Sequence, residues 1–252
     1  MASRIYVAGH PVIERDGLLV DQRALAGRQG RLALVYLVLH RGVPVARENL
    51  ASAIWGDDPP AESENALNAI LSKLRGAFRK AGFPERTVIE AAMGTVTLRL
   101  PAETRVDVEE AVIAIDEAEG AMRGGDRQRA WGNANVAVTI ARRPLLPNEE
   151  APWLQARRDA LRGVLVRGLQ VLAELSAVNG EPALAIEYAN ESVERAPFRE
   201  TGYQQLMRLH ALVGNRAEAL RVYARLRELL RDELGTSPSP QTEAVYMEIL
   251  TA

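Results

Sequence analysis

Five residues with base-reading side chains recur at alternating spacings of three and four: Asn65, Asn68, Ser72, Arg75 and Arg79. An asparagine amide carries an acceptor and donors on one group, the set that pairs with N6 and N7 of adenine. An arginine fork matches O6 and N7 of guanine, and a serine hydroxyl serves a base edge or a phosphate. Lys73 and Lys80 flank the stripe, placed for phosphate contact. Leu67, Ile70, Leu71, Leu74, Ala77 and Phe78 form a second stripe at the same periodicity. The spacing therefore predicts a helix over Ser63 to Lys80, apolar on one side and polar on the other. Alone, such a stripe is also the pattern of a solvated helix face, so the neighbouring elements decide how it is read.

Those elements come in a definite order. Arg4 to Val7, Val12 to Glu14 and Leu18 to Val20 are short β-rich segments, and Asp16-Gly17 is a hairpin turn signal. Gly30 to His40 carries Leu32, Val35, Tyr36 and Leu39 at helical spacing and ends at Gly42. A second helix covers Arg47 to Trp55 and is broken by Gly56-Asp57-Asp58-Pro59-Pro60. After the third helix, Arg86 to Glu90 and Thr95 to Leu100 read as strands around Met93-Gly94. Sheet, three helices and hairpin describe a winged helix, in which the third helix enters the major groove and the hairpin is the wing.

The segment Glu48-Asn49-Leu50-Ala51-Ser52-Ala53-Ile54-Trp55-Gly56-Asp57-Asp58-Pro59-Pro60, with Asn65-Ala66-Leu67 and Ser72-Lys73-Leu74-Arg75 behind it, resembles the Streptomyces antibiotic regulatory protein family. The resemblance implies a DNA-binding helix near 62–80. It also implies that the loop Trp55, Gly56, Asp57, Asp58, Pro59 and Pro60 faces RNA polymerase, and that promoter DNA is bound as direct repeats by tandem or dimeric protein. The wing departs from the family pattern. Basic residues and a Gly-Tyr pair are usual there, whereas this chain has Ala91-Ala92-Met93-Gly94 with Val96 near the tyrosine's place.

From Val106 onward the pattern is helical: Val108 to Met122, Gln128 to Ala141, a break at Arg143 to Pro147, and a long helix from Trp153 to Val178. Gly180 and Gly214 stand 34 positions apart, and at that shift Leu172, Leu175, Ala177, Ala183 and Ala185 match Leu206, Leu209, Ala211, Ala217 and Ala219. A 34-residue period with small residues at helix contacts is the tetratricopeptide signature. Glu218 to Tyr223, Leu226, Leu229-Leu230 and Glu233-Leu234-Gly235-Thr236-Ser237-Pro238-Ser239-Pro240, before a last helix over Thr242 to Leu250, resemble the end of a bacterial transcriptional activation domain. The fold class expected is an α+β winged helix over 1–103 followed by an all-α tetratricopeptide-like domain over 104–252. Stacked helical hairpins of that kind form scaffolds for peptides or partner domains.

Composition narrows the function. The 252-residue chain has net charge −2, divided as 14 Lys/Arg against 11 Asp/Glu up to residue 105 and 17 against 22 beyond it. The basic excess lies where the reading helix is. There is no cysteine, hence no disulfide or thiolate metal site, which suits a reducing cytoplasm. The longest apolar run, Leu32 to Leu39, is far short of the ~20 residues a membrane span needs. His10, His40 and His210 lack companions at metal-ligand spacing, and Gly27-Arg28-Gln29-Gly30 lacks the Lys-Ser/Thr of a phosphate loop. The pairs Glu109-Glu110 and Glu149-Glu150 read as solvated, and Trp131 and Trp153 as packing anchors. No catalytic constellation and no cofactor is expected. The reading is a cytoplasmic DNA-binding activator. The neutral wing supports the alternative, a non-enzymatic interaction module with a degenerate winged helix.

Overall fold

A computed structural model describes residues 3–84 and 88–251. The chain forms two units that are discontinuous in sequence: 1–111 with 140–161, and 112–139 with 162–252.

The first unit opens with β1 (Ser3–Tyr6), β2 (Val12–Arg15) and β3 (Leu18–Val20), joined by antiparallel pairing. The β2–β3 turn places Asp16 and Gly17 at positive φ, as a tight hairpin requires. Helix α1 (Gly27–Leu39) buries Leu32, Ala33, Leu34, Val35, Leu37 and Val38, almost its whole circumference, so it is the core helix. Gly30 has a packing reason: a Cβ there would lie 1.9 Å from the Leu25 carbonyl oxygen. Next come β4 (Val45–Ala46), α2 (Arg47–Trp55), α3 (Ser63–Lys80), β5 (Ile89–Ala92) and β6 (Thr95–Leu98), then β7 (Arg105–Val106). Strands β4, β6 and β5 make a three-stranded antiparallel sheet in that order. Strand β7 pairs in parallel with β1, completing the sheet order β3-β2-β1-β7. The two-residue strands β4 and β7 carry too few residues to show an alternating pattern in sequence. Of the strand expected from Arg86, residues 85–87 lie outside the described residues, and the strand is seen from Ile89 on.

The segment 140–161 completes this unit. Leu145, Leu146 and Leu154 are buried in the same apolar core as Ile5, Leu34, Leu71 and Phe78. Gly9 donates its N–H to the Pro144 carbonyl at 2.9 Å. Arg158 donates through its guanidinium to the carbonyls of Leu145, Leu146 and Glu149. Glu149 is 4% exposed and ion-paired with Arg28 and Arg31. This corrects the expectation of a solvated Glu149-Glu150 pair: two cations one helical turn apart on α1 offset the desolvation of one carboxylate. Glu109 likewise pairs with Arg41. Asp107 is 3% exposed and accepts N–H bonds from Val7, Ala8 and Val108. Its burial still holds the carboxyl above the usual aspartate range, against those bonds.

Among its described residues, the second unit has helices as its regular elements. It holds most of α4 (Asp107–Arg123) and α5 (Arg127–Ala141), the latter part of α6 (Pro152–Val178), and all of α7 (Pro182–Arg195), α8 (Glu200–Leu212), α9 (Arg216–Leu234) and α10 (Pro240–Thr251). The 34-residue register is visible bond by bond. The N–H groups of Asn179, Gly180 and Glu181 donate to the carbonyls of Leu175, Ala177 and Ser176; those of Val213, Gly214 and Asn215 donate to Leu209, Ala211 and His210. Gly124, Gly125 and Asp126 repeat the arrangement on Gly120, Met122 and Ala121, so α4–α5 is a third hairpin of the same design. Its Gly125 stands 55 residues before Gly180, an excess of 21 over the period. The stretch 140–161 that joins the first unit matches that excess to within one residue.

The last turn of the array has its own lock. Ser239 caps α10, and the Glu200 carboxylate accepts from the Ser239 N–H at 2.9 Å, its hydroxyl at 2.7 Å, and the Thr242 hydroxyl. The Ser-Pro-Ser-Pro motif thus supplies a helix start whose polar groups find a partner on α8.

Candidate nucleic-acid interface

Helix α3 buries Leu67, Ile70, Leu71, Leu74, Ala77 and Phe78, the six predicted apolar positions. Asn65, Asn68, Ser72 and Arg79 are exposed on the opposite side, within ~80° of arc together with Gly76 at 3.6 residues per turn. Lys73 and Lys80, also exposed, border that arc. Arg75 is half-buried at its other border, where its Nε donates to the Ile89 carbonyl at 3.0 Å and ties the helix to the first wing strand.

Three features of this face were not evident from sequence. Gly76 lies mid-helix with no heavy atom within 4 Å of where a Cβ would be, so nothing in the protein requires a glycine there. Arg47, the first residue of α2, donates to Glu64 Oε2 at 2.7 and 3.0 Å and to Asn68 Oδ1 at 2.8 Å. Its N–H also donates to the Gly94 carbonyl at 3.0 Å, so one residue joins α2, the exposed face of α3 and the wing turn. Asn65 in turn donates its side-chain N–H to Glu62 Oε2 at 3.1 Å. The acidic residues at the start of α3 have a physical reason, because carboxylates favour the positive end of a helix dipole.

The wing turn puts Met93 and Gly94 at φ 49° and 73°, the paired left-handed geometry that matches strand twist. Met93 is fully exposed, and Ala91 and Ala92 are exposed beside it. Behind the tip, Arg99 is paired with Glu90 at 2.7 Å. The wing therefore presents apolar surface where the family pattern has cations.

In the loop after α2, Asp57, Asp58, Pro59 and Pro60 are exposed and Gly56 takes a positive φ, while the Trp55 ring is partly buried against the core. A concavity of the first unit, about 320 Å³, is lined by His10, Gln22, Arg23, Arg31 and the 146–149 segment.

A winged helix with an exposed polar face on its third helix, followed by an all-helical array, is the architecture of a two-part transcriptional regulator. Residues 106–250 match the family described as bacterial transcriptional activator domain, and residues 23–95 match the C-terminal domain of transcriptional regulatory proteins. The chain belongs to the bacterial transcriptional activator domain family, as a regulator of the Streptomyces antibiotic regulatory protein type.

It is 29% identical over 251 residues to the regulatory protein AfsR of Streptomyces coelicolor, aligning along 100% of this chain and 24% of that one. It is 27% identical over 221 residues to the transcriptional regulatory protein MoaR1 of Mycobacterium bovis, covering 87% of this chain and 71% of the relative. Among solved structures, Mycobacterium tuberculosis EmbR in complex with a low-affinity phosphopeptide superposes with a TM-score of 0.86 at 25% identity, over 99% of this chain and 65% of that chain. The chain thus spans about a quarter of AfsR and about two thirds of the EmbR chain. Among the described residues, no helix is long and apolar enough to cross a membrane.

Proposed function

We propose that the chain binds double-stranded promoter DNA sequence-specifically and activates transcription through RNA polymerase, without catalysing a reaction itself. The observation that carries this reading is the exposed arc of Asn65, Asn68, Ser72 and Arg79 on a helix whose reverse side is wholly buried. With the apolar positions inside, only the polar arc is left to meet a groove. Lys73 and Lys80 serve as phosphate contacts at its border. Arg75 reads a base through its terminal guanidinium nitrogens while its Nε holds the wing strand. The loop Trp55 to Pro60, anchored at Trp55 and acidic at its tip, is the polymerase contact. We place the protein in the cytoplasm, on direct repeats, as a tandem or dimeric assembly.

Salt-titrated binding to duplexes from its own upstream regions tests the reading. A DNA-binding regulator gives a log K against log salt slope of several units, and Arg75→Ala weakens specific binding by about 1–3 kcal/mol. The exposed, uncharged wing tip at Met93 favours a second reading, an interaction module that regulates a larger assembly. No binding at low salt, with polymerase present as well as without it, selects that second reading.

A further inference from the structure

We propose that the reading face is split into a donor-rich and an acceptor-rich half, so that Asn68 with Arg47 selects a keto base and Asn65 with Glu62 selects an amino base. The inference rests on the DNA-binding reading above and adds which base edges are read. A guanidinium only donates hydrogen bonds and an ionised carboxylate only accepts them, so the chemistry of the partners fixes the orientation of both amides. Arg47 Nη2 donates to Asn68 Oδ1 at 2.8 Å, while two further bonds to Glu64 hold the guanidinium in place, leaving its side chain 16% exposed. An amide whose oxygen accepts from a cation becomes the stronger N–H donor and the weaker acceptor. Three residues earlier, Asn65 gives an N–H to the Glu62 carboxylate at 3.1 Å, and that amide is polarised in the opposite sense.

The Arg47 charge is paired with Glu64, so at Asn68 the preference for O6 of guanine or O4 of thymine comes from the bond to Oδ1, which leaves the amide N–H groups to donate. Glu62 attracts the amino group, as carboxylates do at N4 of cytosine. Asn65 and Asn68 are one turn apart on α3, within reach of neighbouring base pairs. The face therefore reads an amino base beside a keto base, in place of two adenines.

Selection from a randomised duplex library tests this, using the whole chain as wild type, Asn65→Asp, Asn68→Asp and Arg47→Met, each with its melting temperature measured. The expected wild-type motif has neighbouring amino and keto positions. Asn65→Asp, still an acceptor, retains the amino preference. Asn68→Asp, stripped of its donor, loses the keto preference by about tenfold. Arg47→Met shifts that position toward adenine, the base a neutral asparagine bonds bidentately. If the wild type enriches a motif and the two Asp variants lose preference equally, or neither loses it, the split is overturned. If the wild type enriches no duplex, the DNA-binding reading itself fails.

Discussion

The indole N–H of Trp153 donates to the carbonyl of Ala53, 100 residues earlier in the chain, at 3.0 Å. The same ring meets Tyr36 edge-on at 5.2 Å between centroids. A residue from the first turn of α6 thus supports α1 and α2 from within the winged-helix unit. Trp153→Ala is expected to destabilise that unit by about 3 kcal/mol, the lower end of the range for large aromatic truncations because the ring is only partly buried. Trp153→Phe, which keeps a ring and loses the donor, should cost about 1 kcal/mol. Urea denaturation of both variants checks the pair. Equal losses would make the hydrogen bond, and not the packing, the dominant contribution.

Gly76→Ala separates stability from binding. An alanine in an exposed helix interior stabilises it by about 0.5–1 kcal/mol relative to glycine. Since no protein atom lies near the added methyl, the melting temperature should rise. If the arc seats against DNA, the methyl intrudes where base edges or sugars approach, and duplex affinity should fall severalfold. Higher stability with unaltered affinity would show that this part of α3 is not in close contact.

Lys73 is exposed beside the arc, and its contribution should be independent of sequence. Lys73→Ala is expected to weaken specific and random duplexes by the same factor and to reduce the salt slope by about 1. A change in base preference would reassign Lys73 from phosphate to base contact.

Acid should loosen the helical array through Glu200. Burial pushes this carboxyl upward, but the bonds from Thr242 and Ser239 outweigh it and hold the group below its usual range. A depressed carboxylate contributes stability above its unfolded value, near 4.3, and that contribution is lost as pH falls through the folded value. Glu200→Gln should therefore cost stability at pH 7 and flatten its decline below about pH 4.5. Melting curves across pH 3–7 that remain parallel for wild type and variant would remove Glu200 from this role.

How far the sequence revealed the structure depended on the range of the interactions. Helices α2 and α3 begin and end at the predicted residues, because Gly56 to Pro60 breaks the chain decisively and the apolar stripe of α3 is complete. Helix α1 begins three residues before the predicted Gly30, on the left-handed Ala26 that a propensity argument disfavours. The third hairpin was hidden because its turn stands 55 residues from the next, so a 34-residue comparison passes over it. The expectation for Glu149 failed because its partners Arg28 and Arg31 are some 120 residues away in sequence. On the reading face, residue types and spacing identified Asn65 and Asn68, but not that Glu62 and Arg47 orient them. The Arg47–Asn68 contact depends on how the start of α2 meets α3, which no local pattern encodes, whereas Glu62 and Asn65 are only three residues apart.

The segment 140–161 also has a consequence in time. During synthesis the first 111 residues emerge without Leu145, Leu146, Trp153 or Leu154, all of which pack into or against their core. At ~5–20 residues per second, the ribosome needs roughly 2 to 9 s more to deliver them. The winged-helix unit is therefore begun first but finished only after two helices of the other unit have been made.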